Sequence, residues 1–151
     1  MSEESRDETS EAVSAWSQET LDEAVAEIMR LGVFGSALIE ARPVWQLPYK
    51  ILIGQIRETN EHGTFRWVIS GEVPIDHVDS AVAATPREVT RHFALKWQLD
   101  AARYQDPSVQ QALGENQKQS WGQLGAILIQ KSEALLALAD DESLWRESGD
   151  R

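Results

Sequence analysis

The 151-residue chain has no cysteine, which excludes disulfides, thiolate metal sites and cysteine nucleophiles. It also has no apolar run approaching the roughly 18 residues that a membrane span needs. Its first residues, MSEESRDETSE, are acidic and carry no apolar h-region, so a signal peptide is not expected. Basic residues are scarce, with 14 Lys and Arg against 25 Asp and Glu. No basic patch with interleaved aromatics occurs, so nucleic acid is not an expected partner. Catalytic signatures are missing as well. There is no GxSxG, since Ser70-Gly71 lacks the preceding glycine, and Gly54, Gly63 and Gly71 are scattered single residues rather than a phosphate loop. The three glycines of GENQKQSWGQLG match neither a dinucleotide nor a triphosphate cradle. These absences leave a soluble, cytoplasmic protein with no expected cofactor or membrane partner.

What is present is an ordinary globular composition, 42% hydrophobic and 26% charged, in a chain long enough to bury a real core. The net charge of −11 sits mostly at the two ends. Residues 1–12 hold five acids and one Arg, and residues 140–151 hold five acids and two Arg. The excess therefore reads as solubilising rather than as a dense acidic face that mimics nucleic acid. Residues 1–14 are expected to form a mobile acidic tail, 15–147 a single domain and 148–151 a second short tail.

The spacing predicts a first helix. Thr20 and Glu23 have capping-box spacing, with Trp16 hinting at a start one turn earlier. Leu21, Ala24, Val25, Ile28 and Leu31 recur at helical intervals, and Gly32 follows as a stop. Residues 33–43 read as a connector. PYKILIGQI (48–56) and TFRWVIS (64–70) read as strands around the polar turn ETNEHG, giving an antiparallel hairpin with Pro48 at a strand start or edge. A lone hairpin is marginal, so a third strand near 43–46 or covering helices are required.

TPRE then gives a sharp helix start, with Thr85 at the N-cap, Pro86 at N1 and Glu88 at N3, and the helix should run to Tyr104 before Pro107. Val89, Phe93, Trp97, Ala101 and Tyr104 fall on one stripe. Leu95, Leu99 and Ala102 fall nearly opposite. Residues 105–119 read as a loop with one helical turn. A third helix follows from Ser120, and DDESLW (140–145) suggests a short terminal helix returning Trp145 to the body. The fold class is therefore α+β, three main helices packed on a small antiparallel hairpin or three-stranded sheet.

The segments PVWQLPYKILIGQI, RWVISGEVP, TPREVTRHFALKW and SEALLALADDESLW together resemble a bacterial family catalogued only as a domain of unknown function, over about residues 16–146. The resemblance implies a compact single domain of bacterial origin and brings no activity, ligand or site residue.

Several side chains are candidates for chemistry. Glu72, Asp76 and His77, with Asp79, are of the types that ligate divalent metals or transfer protons. No HExxH or repeated His-Asp spacing accompanies them, and His62 and His92 lie elsewhere, so the expectation is a strand ending in a polar connecting loop. Lys131 falls within the apolar face drawn by Leu124, Leu128, Leu135 and Leu138, where it snorkels to water or pairs with a carboxylate. Arg87 and Arg91 stand one turn apart, either solvated or gripping an anion. Of the six tryptophans, 67, 97 and 121 are expected in the core, while 16, 45 and 145 suit a groove or partner surface. The best functional expectation is a non-enzymatic protein that acts through protein–protein contact. The alternative is a small enzyme or ligand-binding domain that uses the 72–79 loop with His92 or Lys131. For Leu95, Leu99 and Ala102 two coverings are open. One is a second subunit, making a homodimer, and the other is the first helix through Leu21, Val25 and Ile28.

Overall fold

The computed structural model describes residues 3–35, 38–59, 64–111 and 113–146. The remaining positions, including His62, Gly63 and the C-terminal tail expected at 148–151, lie outside the described residues. The chain is α+β and divides into two compact units, Met1–Pro86 and Arg87–Arg151.

The first unit opens with helix α1, Glu3–Arg30. It begins well before the Thr20–Glu23 spacing suggested, and Thr20 is buried within it. No glycine or proline interrupts residues 3–31, so nothing in the local sequence breaks the helix. The stop falls where expected. Gly32 takes φ 71°, its N–H donates to Met29 O, and Val33 N donates to Ile28 O. This is a Schellman closure, which needs a residue free to enter the left-handed region.

Four strands follow, β1 (Ile39–Leu47), β2 (Ile51–Glu58), β3 (Arg66–Gly71) and β4 (Asp76–Asp79). They form an antiparallel meander in the order β1-β2-β3-β4. The expected hairpin is β2–β3. The connector expected over 33–43 is in part β1, and Pro48 sits in the β1–β2 turn rather than at a strand start. That turn closes with Lys50 N donating to Leu47 O, and Tyr49 holds φ 65°. A non-glycine residue there is unusual; its ring packs 5.8 Å from that of Trp16 on α1. The second correction is β4. Asp76 and His77 were expected in a connecting loop, yet they pair with Ile69 and Val68. DHVD has one apolar residue and no readable alternation, so its strand character comes from the β3 edge it completes.

Side chains alternate between the faces of the sheet. One face takes α1, with Ala24 and Ile28 packing on Ile56 and Val68 and with Val25, Val33, Ile39 and Ala41 around them. The opposite face presents Ile51, Ile53, Trp67, Ile69 and Val78, all buried. Trp67 Nε1 donates to Ala83 O at 3.0 Å, just after the 3₁₀ turn Ser80–Val82. On the α1 face, a Cβ placed on Gly54 would stand 2.8 Å from Arg42 O and 3.2 Å from Leu21 Cδ1. Glycine therefore sets how closely α1 and β1 approach β2. Gly54→Ala is expected to cost about 1–3 kcal/mol, the usual penalty of overpacking, read as a lower midpoint in urea with an unchanged slope.

The second unit holds α2 (Pro86–Tyr104, its first residue closing the first unit), the single turn α3 (Pro107–Gln110) and α4 (Glu115–Asp140). The predicted start and end of α2 match. Asp106 caps α3 by accepting from Ser108 N at 2.8 Å and Ser108 Oγ at 2.6 Å. The Ser108 hydroxyl, then its N–H, hold the Asp106 carboxyl below its ordinary value. The cap is thus complete at neutral pH and is lost as pH falls through that lowered value.

α2 and α4 run antiparallel and are fastened at both ends. At one end Arg87 Nε donates to Ala139 O at 2.8 Å, and Arg91 Nη2 reaches the same carbonyl at 3.4 Å and Asp140 Oδ1 at 3.5 Å. Both arginines are turned toward the end of α4, Arg87 half-buried and Arg91 with its side chain 42% exposed. They satisfy a last-turn carbonyl of α4, where the helix is most negative. At the other end Tyr104 meets Trp121 edge-on at 4.8 Å, and Gly125 lies beside Gln105 and Ala101. Asp141 caps the final 3₁₀ turn Glu142–Leu144, and Trp145 returns to donate Nε1 to Leu138 O. Trp145 is fully buried, so it is a core residue rather than a partner surface. Arg87→Met, which keeps the stem and removes the donor, is expected to lower stability by about 1–2 kcal/mol, measured by chemical denaturation.

Candidate functional site

The acidic segment is engaged in the fold. Glu72, just past β3, donates its N–H to Lys50 O at 2.7 Å, and its carboxylate stands 3.5 Å from Lys50 Nζ on the surface. Asp76 Oδ1 accepts from His77 N, and Asp79 Oδ1 accepts from Ala81 N to cap the 3₁₀ turn. His77 and Asp79 fall on the α1 side of the sheet together with Arg66. Arg66 Nε donates to His77 Nδ1 at 3.0 Å, and Arg66 Nη1 lies 3.9 Å from Asp79 Oδ2. Among the described residues no three His, Asp or Glu side chains could hold a metal ion.

The Arg66 bond fixes the chemistry of His77. A guanidinium only donates, so Nδ1 must carry the lone pair and Nε2 the proton. With that lone pair occupied, the neutral ring has no second acceptor with which to take a proton from a substrate. With the ring neutral, at alkaline pH, long-range ¹H–¹⁵N spectra are expected to show His77 as the Nε2–H tautomer. Arg66→Met should release it toward a mixture of tautomers. An Nδ1–H ring in the unaltered protein would refute the assignment.

His92 and Lys131 belong to the second unit, on α2 and α4, whereas Glu72, Asp76 and His77 belong to the first. Lys131 is half-buried, with no ion pair among the described residues. The buried stripe of α4 is Gly125, Leu128, Ser132, Leu135 and Ala139. Its centre is displaced from the leucine ladder toward Ser132, which puts Lys131 at the margin and leaves Leu124 41% exposed.

On α2 the two stripes separate cleanly. Val89, Phe93, Trp97 and Ala101 are buried, while Leu95 is 54% and Leu99 68% exposed, and Ala102 is exposed beside them. Of the first-helix side chains expected to cover this patch, Ile28 packs on Ile56 and Val68 and Leu21 lies beside Gly54, both within the first unit.

A cleft of about 650 Å³ opens on the sheet face opposite α1, and no sequence signal pointed to it. Its floor is a cross-strand square. Arg42 faces Gln55, and Glu40 faces Arg57. Arg42 donates Nε and Nη2 to Gln55 Oε1 at 3.0 and 2.7 Å, and Arg57 donates Nε and Nη2 to Glu40 Oε2 at 3.1 and 2.8 Å. Thr64, Phe65 and Ser80 complete the walls. The two cross-strand pairs of the floor are 13 and 17 positions apart in sequence, so only the β1–β2 register unites them.

The chain belongs to the family described as Domain of unknown function (DUF4826), which matches residues 10–145. No curated protein and no solved structure matches it.

Proposed function

We propose that this member of the DUF4826 family is a non-enzymatic protein that acts through protein–protein contact, with a second copy of the chain as partner and the outer face of α2 as the contact. The exposed Leu95–Leu99–Ala102 stripe carries this reading. Large aliphatic side chains one turn apart on a well-formed helix gain more by burial than scattered surface leucines do. The face is also self-complementary. At about 100° per residue, Glu88 lies at its N-terminal end and Arg103 at its C-terminal end, and both are exposed. An antiparallel copy related by a twofold axis brings each acid toward the partner's base, as an isologous interface requires. The alternative, a small enzyme or ligand site on the 72–79 segment with His92 or Lys131, has less support. The segment's polar atoms serve strand and turn bonds, and Arg66 occupies the His77 lone pair.

A cytoplasmic, bacterial setting belongs to the same proposal. It is supported by a chain without cysteine, which suits a reducing compartment, and by the absence among the described residues of a helix long and apolar enough to cross a membrane. Neither nucleic acid nor membrane is a proposed partner.

Sedimentation equilibrium at micromolar concentration tests the reading, with a mass of twice 16.9 kDa expected. Two bodies of net charge −11 repel, so raising salt from about 50 to about 500 mM should tighten the dimer by screening. Leu99→Glu should split it without loss of fold, because Leu99 is exposed in the single chain and a carboxylate trapped at an apolar contact is strongly unfavourable. A mass of 16.9 kDa at every salt concentration, or a Leu99→Glu protein that stays dimeric, overturns the proposal.

A further inference from the structure

We infer that the cleft at the polar end of the sheet face opposite α1 binds a small monocarboxylate with a flat apolar body. The charge balance there is specific. Arg57 is neutralised by Glu40 at 2.8 Å. Arg42, by contrast, is pinned by the neutral Gln55 and makes no ion pair among the described residues. The floor thus carries one uncompensated positive charge inside a chain whose net charge is −11. Gln55 occupies the Nε edge of Arg42, which leaves the outer fork of Nη1 and Nη2 as parallel donors, the geometry that takes a carboxylate bidentately. Because Gln55 already fixes the guanidinium, little rotamer freedom is lost on binding.

The same square argues against a phosphate dianion. One of its two charges would find Arg42, but the other would face Glu40, whose second oxygen is not used by Arg57. A monoanion matches the floor. The body of the ligand is set by Phe65, which stands at the cleft wall in edge-on contact with Trp67 at 5.2 Å and 89°. A ring so fixed offers a rigid apolar surface to a flat partner. The hydroxyls of Thr64 and Ser80 are available to a polar substituent at the rim. A cleft of about 650 Å³ lies in the range of small-molecule sites.

The test is a titration of the full chain at constant ionic strength, followed in ¹H–¹⁵N spectra, with benzoate, acetate and inorganic phosphate as probes. Benzoate should give saturable shifts at the Arg42 Nε and at the amides of Gln55 and Phe65. Acetate, which has no ring, should bind at least about tenfold more weakly, and phosphate should not saturate. Arg42→Gln should weaken benzoate by about tenfold or more, the loss of one charge-assisted fork, with an unchanged thermal midpoint. Glu40→Gln supplies the gain-of-function arm, because removing the acid should raise phosphate affinity by about tenfold. Non-saturating benzoate shifts, or benzoate binding equal in Arg42→Gln, would overturn the site. Phosphate binding that is already saturable in the unaltered chain, or unchanged in Glu40→Gln, would overturn its assignment to monoanions. None of these readouts depends on the α2 contact.

Discussion

Strand β2 is apolar on both sides, and much of the first unit follows from that constraint. Ile51, Leu52, Ile53 and Gly54 are consecutive and buried, so neither face of the sheet can be left to water along this stretch. Each buried aliphatic side chain contributes about 1.5–3 kcal/mol relative to exposure. One face is satisfied by α1, which Gly54 admits to within contact distance of the backbone. On the other, Ile51 and Ile53 share the face with Ile69 and Trp67, Ile53 directly opposite Ile69, and Trp67 anchors the chain after β4 through Ala83 O.

The cleft begins where that apolar run ends. Along the same face of β2 the residues change from Ile51 and Ile53 to Gln55 and Arg57. A strand that stays paired while its side chains turn polar leaves a floor of fixed donors instead of a packed layer. Cross-strand partners directly opposite each other stand close enough to hold one another, which is why two exposed arginines are oriented here rather than free. Edge strand β1 supplies half of the square.

In the second unit the organising contact is a different one. Ala139 O, at the last turn of α4, has no helical partner and takes Arg87 and Arg91 from the first turns of α2. That bond joins the negative end of one helix to cations at the start of the other. With the Tyr104–Trp121 pair at the far end, it aligns α2 so that Val89, Phe93, Trp97 and Ala101 face inward. The Leu95–Leu99 edge is then turned outward by geometry alone, since it lies half a turn away.

The sequence by itself determined the fold class, the β2–β3 hairpin, the Gly32 stop of α1 and the limits of α2. Each rests on local chemistry, such as a glycine free to enter positive φ, a proline tolerated in a first turn, or a periodicity of 2 or 3.6. It also separated the two stripes of α2, because helical angles need no tertiary information. Only the tertiary structure decided the rest. DHVD became a strand because β3 offered an open edge. Arg87 and Arg91 became a clasp because α4 ends beside them. The buried stripe of α4 centred on Ser132 rather than on its leucines. Trp145 went to the core because a carbonyl at Leu138 could take its indole N–H. The cleft was illegible for the same reason. Glu40, Arg42, Gln55 and Arg57 carry no motif along the chain, and strand register brings them together, with a bulge between Pro43 and Trp45 ending the stretch of β1 that supplies two of them.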